Sequence, residues 1–211
     1  MKIISHRGYW NSKPEQNSIE ALTYSLDSGF GIETDIRDFN GNLVISHDLP
    51  NKNSLALEHM FECYNERGSS LQLALNIKSD GLQFELMKLL EKYRIINYFV
   101  FDMSIPDFMS YASMQIKSYL RLSEYESDLS LYDQSKGIWL DSFDKIWYDK
   151  NLILQHSSLD KHICIVSDEL HRRDHIYHWN FLFDEGIHLL DNITLCTDFP
   201  ELAKLFFNNE K

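Results

Sequence analysis

Short strand-like runs alternate with helix-like runs along the whole 211-residue chain. Eight of these runs have the length and residue types of strands, and a shorter run follows the second of them. Strands that alternate with helices pair in parallel, so the pattern predicts an α/β fold, and eight repeats favour a closed TIM (β/α)8 barrel over an open doubly wound sheet. The predicted strands are Lys2–Ser5, Gly31–Arg37, Gln72–Ile77, Tyr98–Phe101, Ile116–Tyr119, Gly137–Leu140, Ile163–Val166 and Ile193–Cys196, with the short extra strand at Leu43–Ser46.

Helix signals lie between these strands. Asn17-Ser18-Ile19-Glu20 has the form of a capping box, so Asn17 and Ser18 are predicted to cap the first helix. Gly68 and Gly186 have the character of helix ends. The stretch Ser123–Ser135 fits a helix or a loop equally well.

The length of the chain limits what can be added to a barrel. Barrels of this type usually have about 250 residues, so a chain of 211 must have short loops. The stretch that follows His47-Asp48 has room for one helix. We therefore predict a single compact barrel domain over residues 1–211, without a large cap insertion.

The charge of the chain excludes some partners. Lys and Arg number 20 against 32 for Asp and Glu, which gives a net charge of −12. An acidic surface argues against a nucleic acid or an anionic membrane as partner, whereas an anionic small molecule can still bind through local cations or a metal. The sequence shows no signal-peptide pattern and no run of transmembrane length. With Cys63, Cys164 and Cys196 read as small buried hydrophobes, we expect a cytoplasmic protein without stable membrane insertion.

Polar residues stand at the carboxyl ends of the predicted strands, where barrels of this type carry their functional groups. Successive side chains of a strand point to opposite faces, so Glu33 and Asp35 share one face of the second strand. His6-Arg7-Gly8 follows the first strand, His47-Asp48 follows the short extra strand, and Lys78 follows the third. Any one of these groups could be structural, but two histidines that flank a Glu-x-Asp pair indicate a site.

The order of these motifs resembles one known family. Glycerophosphodiester phosphodiesterases have the same order of motifs as His6-Arg7-Gly8, Asn17-Ser18, Glu33-Thr34-Asp35, His47-Asp48, Lys78 and Thr197-Asp198-Phe199-Pro200 in this chain. The resemblance extends from the first strand to the last helix. It implies a TIM barrel, a divalent metal, and cleavage of a small glycerophosphodiester into a phosphomonoester and an alcohol.

The same residues suit this chemistry. A phosphodiester is negatively charged, so its cleavage needs cations, a base for the attacking oxygen and an acid for the leaving alkoxide. Glu33 and Asp35 are hard oxygen donors for Mg²⁺ or Ca²⁺. Arg7 and Lys78 can bind the phosphate. His6 and His47 are the candidates for acid and base, in either order.

The chain departs from the family pattern at two places. Asn76 stands where the family commonly has a metal-ligating Glu, which predicts a weaker metal site; Glu169 could supply the missing carboxylate or cap a helix. Pro14-Glu15-Gln16-Asn17-Ser18 has one residue more than the family's P-E-N-T, which puts Glu15 in doubt as a site residue. The cluster His171-Arg172-Arg173-Asp174-His175 with His178 is interpreted as the solvated start of a helix.

Two further functions stay open. Asn76 is compatible with a metal-independent cleavage of the phospholipase C type, which passes through a cyclic phosphate. The missing carboxylate is also compatible with a barrel that binds a phosphate-containing ligand without turnover.

Overall fold

Ten β-strands and seven α-helices follow one another in residues 1–68 and 70–208, the part of the chain that the computed structural model describes. The strands are β1 (Lys2–His6), β2 (Gly31–Phe39), β3 (Asn42–Ile45), β4 (Leu55–Ala56), β5 (Leu73–Ile77), β6 (Tyr98–Phe101), β7 (Tyr119–Leu122), β8 (Gly137–Leu140), β9 (His162–Val166) and β10 (Ile193–Thr197). The helices are α1 (Ile19–Asp27), α2 (Leu57–Arg67), α3 (Gln83–Lys92), α4 (Ile105–Ser113), α5 (Lys150–Ser158), α6 (His175–Asp184) and α7 (Pro200–Asn208).

The chain divides into two compact units. The N-terminal unit is Ser5–Ser118, and the C-terminal unit comprises Met1–Ile4 and the chain from Tyr119 onward. The single domain over residues 1–211 stays a prediction from the sequence.

The sheet of the N-terminal unit is built around β2. This strand pairs in parallel with β5, which pairs in parallel with β6, while β3 runs antiparallel to β2. The register places Asp35 of β2 opposite Asn76 of β5. Carboxyl ends of parallel neighbours lie at one edge of a sheet, so the polar residues of β2 and β5 are brought together.

Helices α1 to α3 pack on this sheet through apolar stripes. Leu22, Phe61 and Leu86 are completely buried in one apolar cluster. Helix α1 begins after Ser18, whose hydroxyl accepts a hydrogen bond from the Ala21 N–H over 3.2 Å. Helix α2 ends at Arg67, and Gly68 is its C-cap. The predicted helix stop at Gly68 and the capping role of Ser18 are thus confirmed.

Gly8 is required where the chain leaves β1. Its φ of +90° lies in the region that favours glycine. A Cβ at this position would be 2.7 Å from the carbonyl carbon of Ala21 in α1. The glycine of the His-Arg-Gly motif therefore allows the backbone of this loop to contact the backbone of α1.

In the C-terminal unit, β7, β8, β9 and β10 pair in parallel in that order. The core of this unit surrounds Trp179, which is completely buried with Leu182 and Leu195. Cys164 in β9 and Cys196 in β10 are buried as predicted, whereas Cys63 in α2 is only partly buried.

Most predicted strands differ from the structure by one or two residues at an end, and one strand is shifted by three residues. The run expected at Ile116–Tyr119 forms a strand at Tyr119–Leu122. Gln115 has a φ of 58°, and the Ile116 N–H donates to the Tyr111 carbonyl, so Ile116 belongs to the turn after α4 and buries its side chain there. The open stretch Ser123–Ser135 is a loop with a single 3₁₀ turn at Tyr132–Gln134.

The interpretation of residues 171–178 as a solvated helix start is wrong for His178, whereas Arg172 and Asp174 are exposed. His178 is completely buried, with Nδ1 at 3.0 Å from Asp168 Oδ1 and Nε2 at 2.7 Å from the Tyr148 hydroxyl. Arg173 also binds Asp168, over 2.5 Å, and His171 lies 2.6 Å from Asp141. Helix α6 begins only at His175, so the preceding residues turn back onto the strand ends instead of continuing a helical surface.

Every helix within residues 1–68 and 70–208 is too short or too polar to cross a bilayer. The cytoplasmic location stays a prediction.

Candidate active site

Asp35 lies at the centre of a group of charged side chains in the N-terminal unit. Its side chain is completely buried, and a buried carboxylate is tolerated only with compensating partners. Arg7 Nε lies 3.0 Å from Asp35 Oδ2, and Lys78 Nζ lies 3.6 Å from Oδ1. The Asn17 amide also donates to Oδ2 over 2.9 Å. Two cations and an amide therefore compensate this carboxylate.

Glu33 lies two residues before Asp35 on the same strand and is 1% exposed. The backbone N–H of Arg7 donates to Glu33 Oε2 over 3.3 Å, and the side-chain amide of Asn76 donates to Oε1 over 3.4 Å. His6 Nε2 lies 3.9 Å from Oε2. Burial, followed by the charge of Asp35, raises the pKa of Glu33 from 4.5 to about 7. The carboxyl group of Glu33 therefore titrates near neutral pH.

Lys78 is shared between two carboxylates. Its ammonium lies 3.2 Å from Asp102 Oδ2, in addition to its contact with Asp35. Asp102 follows β6 directly and has a φ of 73°. Lys78 thus connects the carboxyl ends of β2, β5 and β6.

His47 is at a different position in the same unit. It follows β3, its side chain is 48% exposed, and its Nδ1 lies 2.9 Å from Asp48 Oδ1. A cavity of about 670 Å³ is lined by His47, Arg7 and Asn17, among others. Asp35 does not line this cavity, but Arg7 and Asn17, which do, both contact it.

Most of the site residues predicted from the sequence lie in this one unit. His6, Arg7, Glu33, Asp35, Asn76 and Lys78 form a connected chain of contacts, and His47 shares the cavity with Arg7. Glu169 belongs to the C-terminal unit. Its carboxylate accepts hydrogen bonds from the Ser167 and Thr197 hydroxyls and from the Asp198 N–H.

Asn17 is the residue that sequence reasoning missed. It was assigned to the cap of α1, but Ser18 alone is the cap, and the Asn17 side chain binds Asp35 and Thr34. Its φ of 61° is a left-handed conformation that Asn tolerates better than most residues. The signal was present in the Asn of the family's P-E-N-T pattern, which this chain retains as Asn17-Ser18.

The oxygen donors at this site fit a divalent cation. Among the described residues, no group of three or more His, Cys, Asp or Glu side chains is arranged as a metal site. The donor set here consists instead of Glu33, Asp35 and the amide of Asn76. Asp35 Oδ1 and Asn76 Oδ1 are both buried without a hydrogen-bond donor. Buried acceptors without partners are costly, and hard oxygen atoms of this kind suit Mg²⁺ or Ca²⁺.

Comparison with known proteins gives matches in structure only. No family model matches the chain, and no curated protein matches it.

Three solved structures are similar over nearly the whole chain. A glycerophosphodiester phosphodiesterase from Agrobacterium tumefaciens is 15% identical, with a TM-score of 0.73 and coverage of 97% of this chain and 99% of that chain. An Oleispira antarctica phosphodiesterase, solved with the product sn-glycerol-3-phosphate, is 15% identical, with a TM-score of 0.73 and coverage of 99% and 97%. A glycerophosphodiester phosphodiesterase from Parabacteroides distasonis is 15% identical, with a TM-score of 0.72 and coverage of 98% and 96%.

A sequence identity of 15% to proteins of similar structure carries information about the fold alone. The similarity confirms the α/β class and the barrel type predicted from the alternating strands and helices. The chain has the TIM-barrel fold of the glycerophosphodiester phosphodiesterases.

Proposed function

We propose that this protein is a metal-dependent phosphodiester hydrolase that cleaves a glycerophosphodiester to a phosphomonoester and an alcohol. The observation that carries the proposal is the position of Arg7: its guanidinium pairs with the buried Asp35 and also lines the cavity that contains His47. The similar Oleispira antarctica enzyme holds sn-glycerol-3-phosphate, which supports a substrate of this class.

The phosphate is assigned to Arg7 and Lys78. Their side chains are 19% and 20% exposed, so each keeps a surface that a ligand can reach while it compensates Asp35. A guanidinium can bind two phosphate oxygens at once, and an ammonium adds a point charge. Together they offset the charge that repels a nucleophile.

The proton transfers are assigned to His6 and His47. The Asp48 carboxylate is hydrogen-bonded to Nδ1 of His47. Nε2 is therefore the ring nitrogen that is left to transfer a proton to or from the substrate. His6 lies beside Glu33. One imidazole removes the proton from the attacking oxygen, and the other protonates the leaving alkoxide.

Glu33, Asp35 and Asn76 are the residues that would hold Mg²⁺ or Ca²⁺. The bound cation would supply Lewis-acid stabilisation of the phosphate charge. Asp35 also forms ion pairs with Arg7 and Lys78, so its role includes the orientation of these two phosphate-binding side chains. Glu169 is left out of this set, because hydrogen bonds within the C-terminal unit already engage both of its oxygens.

The test is hydrolysis of a panel of glycerophosphodiesters with and without Mg²⁺ or Ca²⁺. His6→Ala and His47→Ala are each expected to lower kcat/KM at least about 100-fold, the usual size of general acid–base catalysis. His59→Ala, at an exposed position of α2 in the same unit, is the matched control and should keep the wild-type rate. Wild-type rates in either of the first two variants would refute the proposal.

A metal-independent cleavage through a cyclic phosphate is the second candidate. Asn76 in place of a carboxylate favours it, as do the ion pairs that already compensate Asp35. Full activity after exhaustive chelation, with a cyclic product detected by phosphorus NMR, would support this candidate. Restoration of activity by added metal would remove it.

A phosphate-binding barrel without turnover is the third candidate. Any hydrolysis that disappears in His6→Ala would exclude it.

A further inference from the structure

The cavity beside Arg7 and His47 is the place where the alcohol arm of a phosphodiester bound to Arg7 would lie. It has a volume of about 670 Å³, within the usual range of about 300–1,000 Å³ for small-molecule sites. All of its lining residues belong to the N-terminal unit. The inference rests on the proposed function and concerns the class of substrate.

The lining is polar, and among the described residues its one ring is the imidazole of His47. Among the described residues that line it are Lys13, Gln16, Asn51, Asn53 and Ser54, together with aliphatic side chains and no Phe, Tyr or Trp. The aromatic residues nearest in sequence are used elsewhere.

Tyr9 stacks on Tyr24 at 4.7 Å, and the Trp10 indole donates to the His6 carbonyl over 3.0 Å. Quaternary ammonium groups are recognised by the faces of Trp, Tyr and Phe rings. A choline group in this cavity would find no such face.

The charges of the lining also oppose a cationic alcohol. Arg7 and Lys13 contribute two positive charges, and Lys13 makes no ion pair with any residue that the structure describes. The carboxylate of Asp48, which also lines the cavity, is hydrogen-bonded to His47. A permanently cationic group would therefore lie near the ammonium of Lys13, which has no counter-charge among the described residues, whereas Arg7 is paired with Asp35.

Hydroxyl groups, in contrast, have partners in this cavity. The turn at residues 51–54 is fixed by hydrogen bonds from the Asn53 N–H to Asn51 Oδ1 and from the Asn51 N–H to the Ser54 hydroxyl. This leaves the Asn51 Nδ2 group as a donor and the Asn53 side-chain amide as both donor and acceptor, and Lys13 is a further donor.

We propose that the cavity holds a polyhydroxylated alcohol arm of the diester, of the glycerol or inositol type, and rejects an arm that carries a quaternary ammonium group. The protein then hydrolyses diesters of polyols in preference to diesters of choline.

The first test is kcat/KM for glycerophosphoglycerol, glycerophosphoinositol and glycerophosphocholine, measured with the same added metal. Both polyol diesters are expected to exceed the choline diester at least tenfold. An equal or higher value for the choline diester would overturn the inference while leaving the proposed function intact. Absence of hydrolysis of all three would refute the proposed function, and the inference would then be decided by binding.

Binding is measured by calorimetry on His6→Ala, because His6 is outside the cavity lining. The polyol diesters should bind at least tenfold more tightly than the choline diester, and equal affinities would overturn the inference without reference to turnover.

A charge reversal locates the preference in the cavity. Lys13→Glu should lower the ratio of polyol to choline kcat/KM at least fivefold, because it places a carboxylate where the cationic arm would lie. Lys52→Glu is the matched control: Lys52 is exposed, lies within the turn at residues 51–54 and is not part of the lining. The choline diester has no net charge and the polyol diesters are anionic, so the control corrects for the long-range effect of net charge. The same shift in both variants would overturn the assignment of Lys13.

Discussion

Asn17 donates a hydrogen bond to Asp35 Oδ2 over 2.9 Å, while its own amide oxygen accepts one from the Thr34 hydroxyl over 2.7 Å. The loop before α1 is thereby attached to the buried acidic strand. The neighbouring Ser18 has a different task, since it caps α1. Of these two adjacent polar residues, Asn17 thus contacts the candidate active site and Ser18 contacts the helix.

Asn17→Ala and Ser18→Ala are both expected to lower stability, but only Asn17→Ala is expected to lower activity strongly. Asn17→Ala removes both hydrogen bonds and places Ala in a left-handed conformation, so we expect a loss of about 2 kcal/mol in the free energy of unfolding. Because Asp35 loses a partner, kcat/KM should fall more than tenfold. Ser18→Ala should cost about 1 kcal/mol, with kcat/KM within threefold of wild type. Urea denaturation and steady-state kinetics measure both, and equal kinetic effects would contradict the separation.

Asn76→Glu is expected to strengthen divalent-metal binding. A unit charge about 4 Å from a cation contributes several kcal/mol per cation charge at an effective dielectric near 20, before hydration offsets most of it. We expect the Kd for Ca²⁺ to fall at least tenfold by isothermal titration calorimetry. Asn76→Gln is the control, since it lengthens the side chain without adding charge. Without metal, Asn76→Glu should lower Tm, because it adds a third carboxylate beside Glu33 and Asp35. An unchanged Kd would remove Asn76 from the proposed ligand set.

The pKa of Glu33 predicts how the stability of the metal-free protein depends on pH. Below pH 4.5 the carboxyl is protonated in both the folded and the unfolded chain. Between pH 4.5 and about 7 the unfolded chain loses this proton first, so stability falls as pH rises, and it levels off above the folded-state pKa. Each pKa unit corresponds to about 1.4 kcal/mol, which makes the decline about 3 kcal/mol at most.

Glu33→Gln should remove this decline. The difference between the unfolding free energies of wild type and variant, measured from pH 4.5 to 7.5, isolates the contribution of Glu33 from other titrating groups. Glu20→Gln, at an exposed position of α1, is the control and should leave the slope unchanged. A parallel slope in wild type and Glu33→Gln would contradict the assignment.

Features that depend on local periodicity could be predicted from the sequence. The bounds of the strands at Tyr98–Phe101 and Gly137–Leu140 were predicted without error. The common face of Glu33 and Asp35 follows from the two-residue period of a strand. Ile116 was misplaced because an apolar residue buried in a turn has the same local pattern as one buried in a strand.

Features that depend on contacts between distant residues could not be predicted. Asn17 contacts Asp35 across 18 positions, and His178 contacts Tyr148 across 30. The helical spacing of residues 171–178 predicts a solvated helix start, and this local pattern does not show that His178 is buried. Its burial follows from the packing of α6, in which Trp179 is also completely buried.

Lys78 and Asp102 form an ion pair whose strength can be measured. Their side chains are 20% and 16% exposed, so the pair is more shielded from solvent than a surface salt bridge. Asp102→Asn removes the charge and keeps a residue that tolerates the φ of 73°. Lys78→Met removes the ammonium and keeps most of the apolar stem.

A double-mutant cycle separates this pair from its surroundings. We expect Asp102→Asn to lower the free energy of unfolding by about 1–2 kcal/mol in the wild-type background. In the Lys78→Met background the same change should cost at least about 0.5 kcal/mol less, the coupling found for residues in direct contact. The pair Lys88 and Glu85, which is exposed on α3, provides the comparison, with an expected coupling below about 0.5 kcal/mol. If the coupling of Lys78 with Asp102 does not exceed that of the exposed pair, Asp102 does not fix the ammonium of Lys78, and Asp35 alone must hold it.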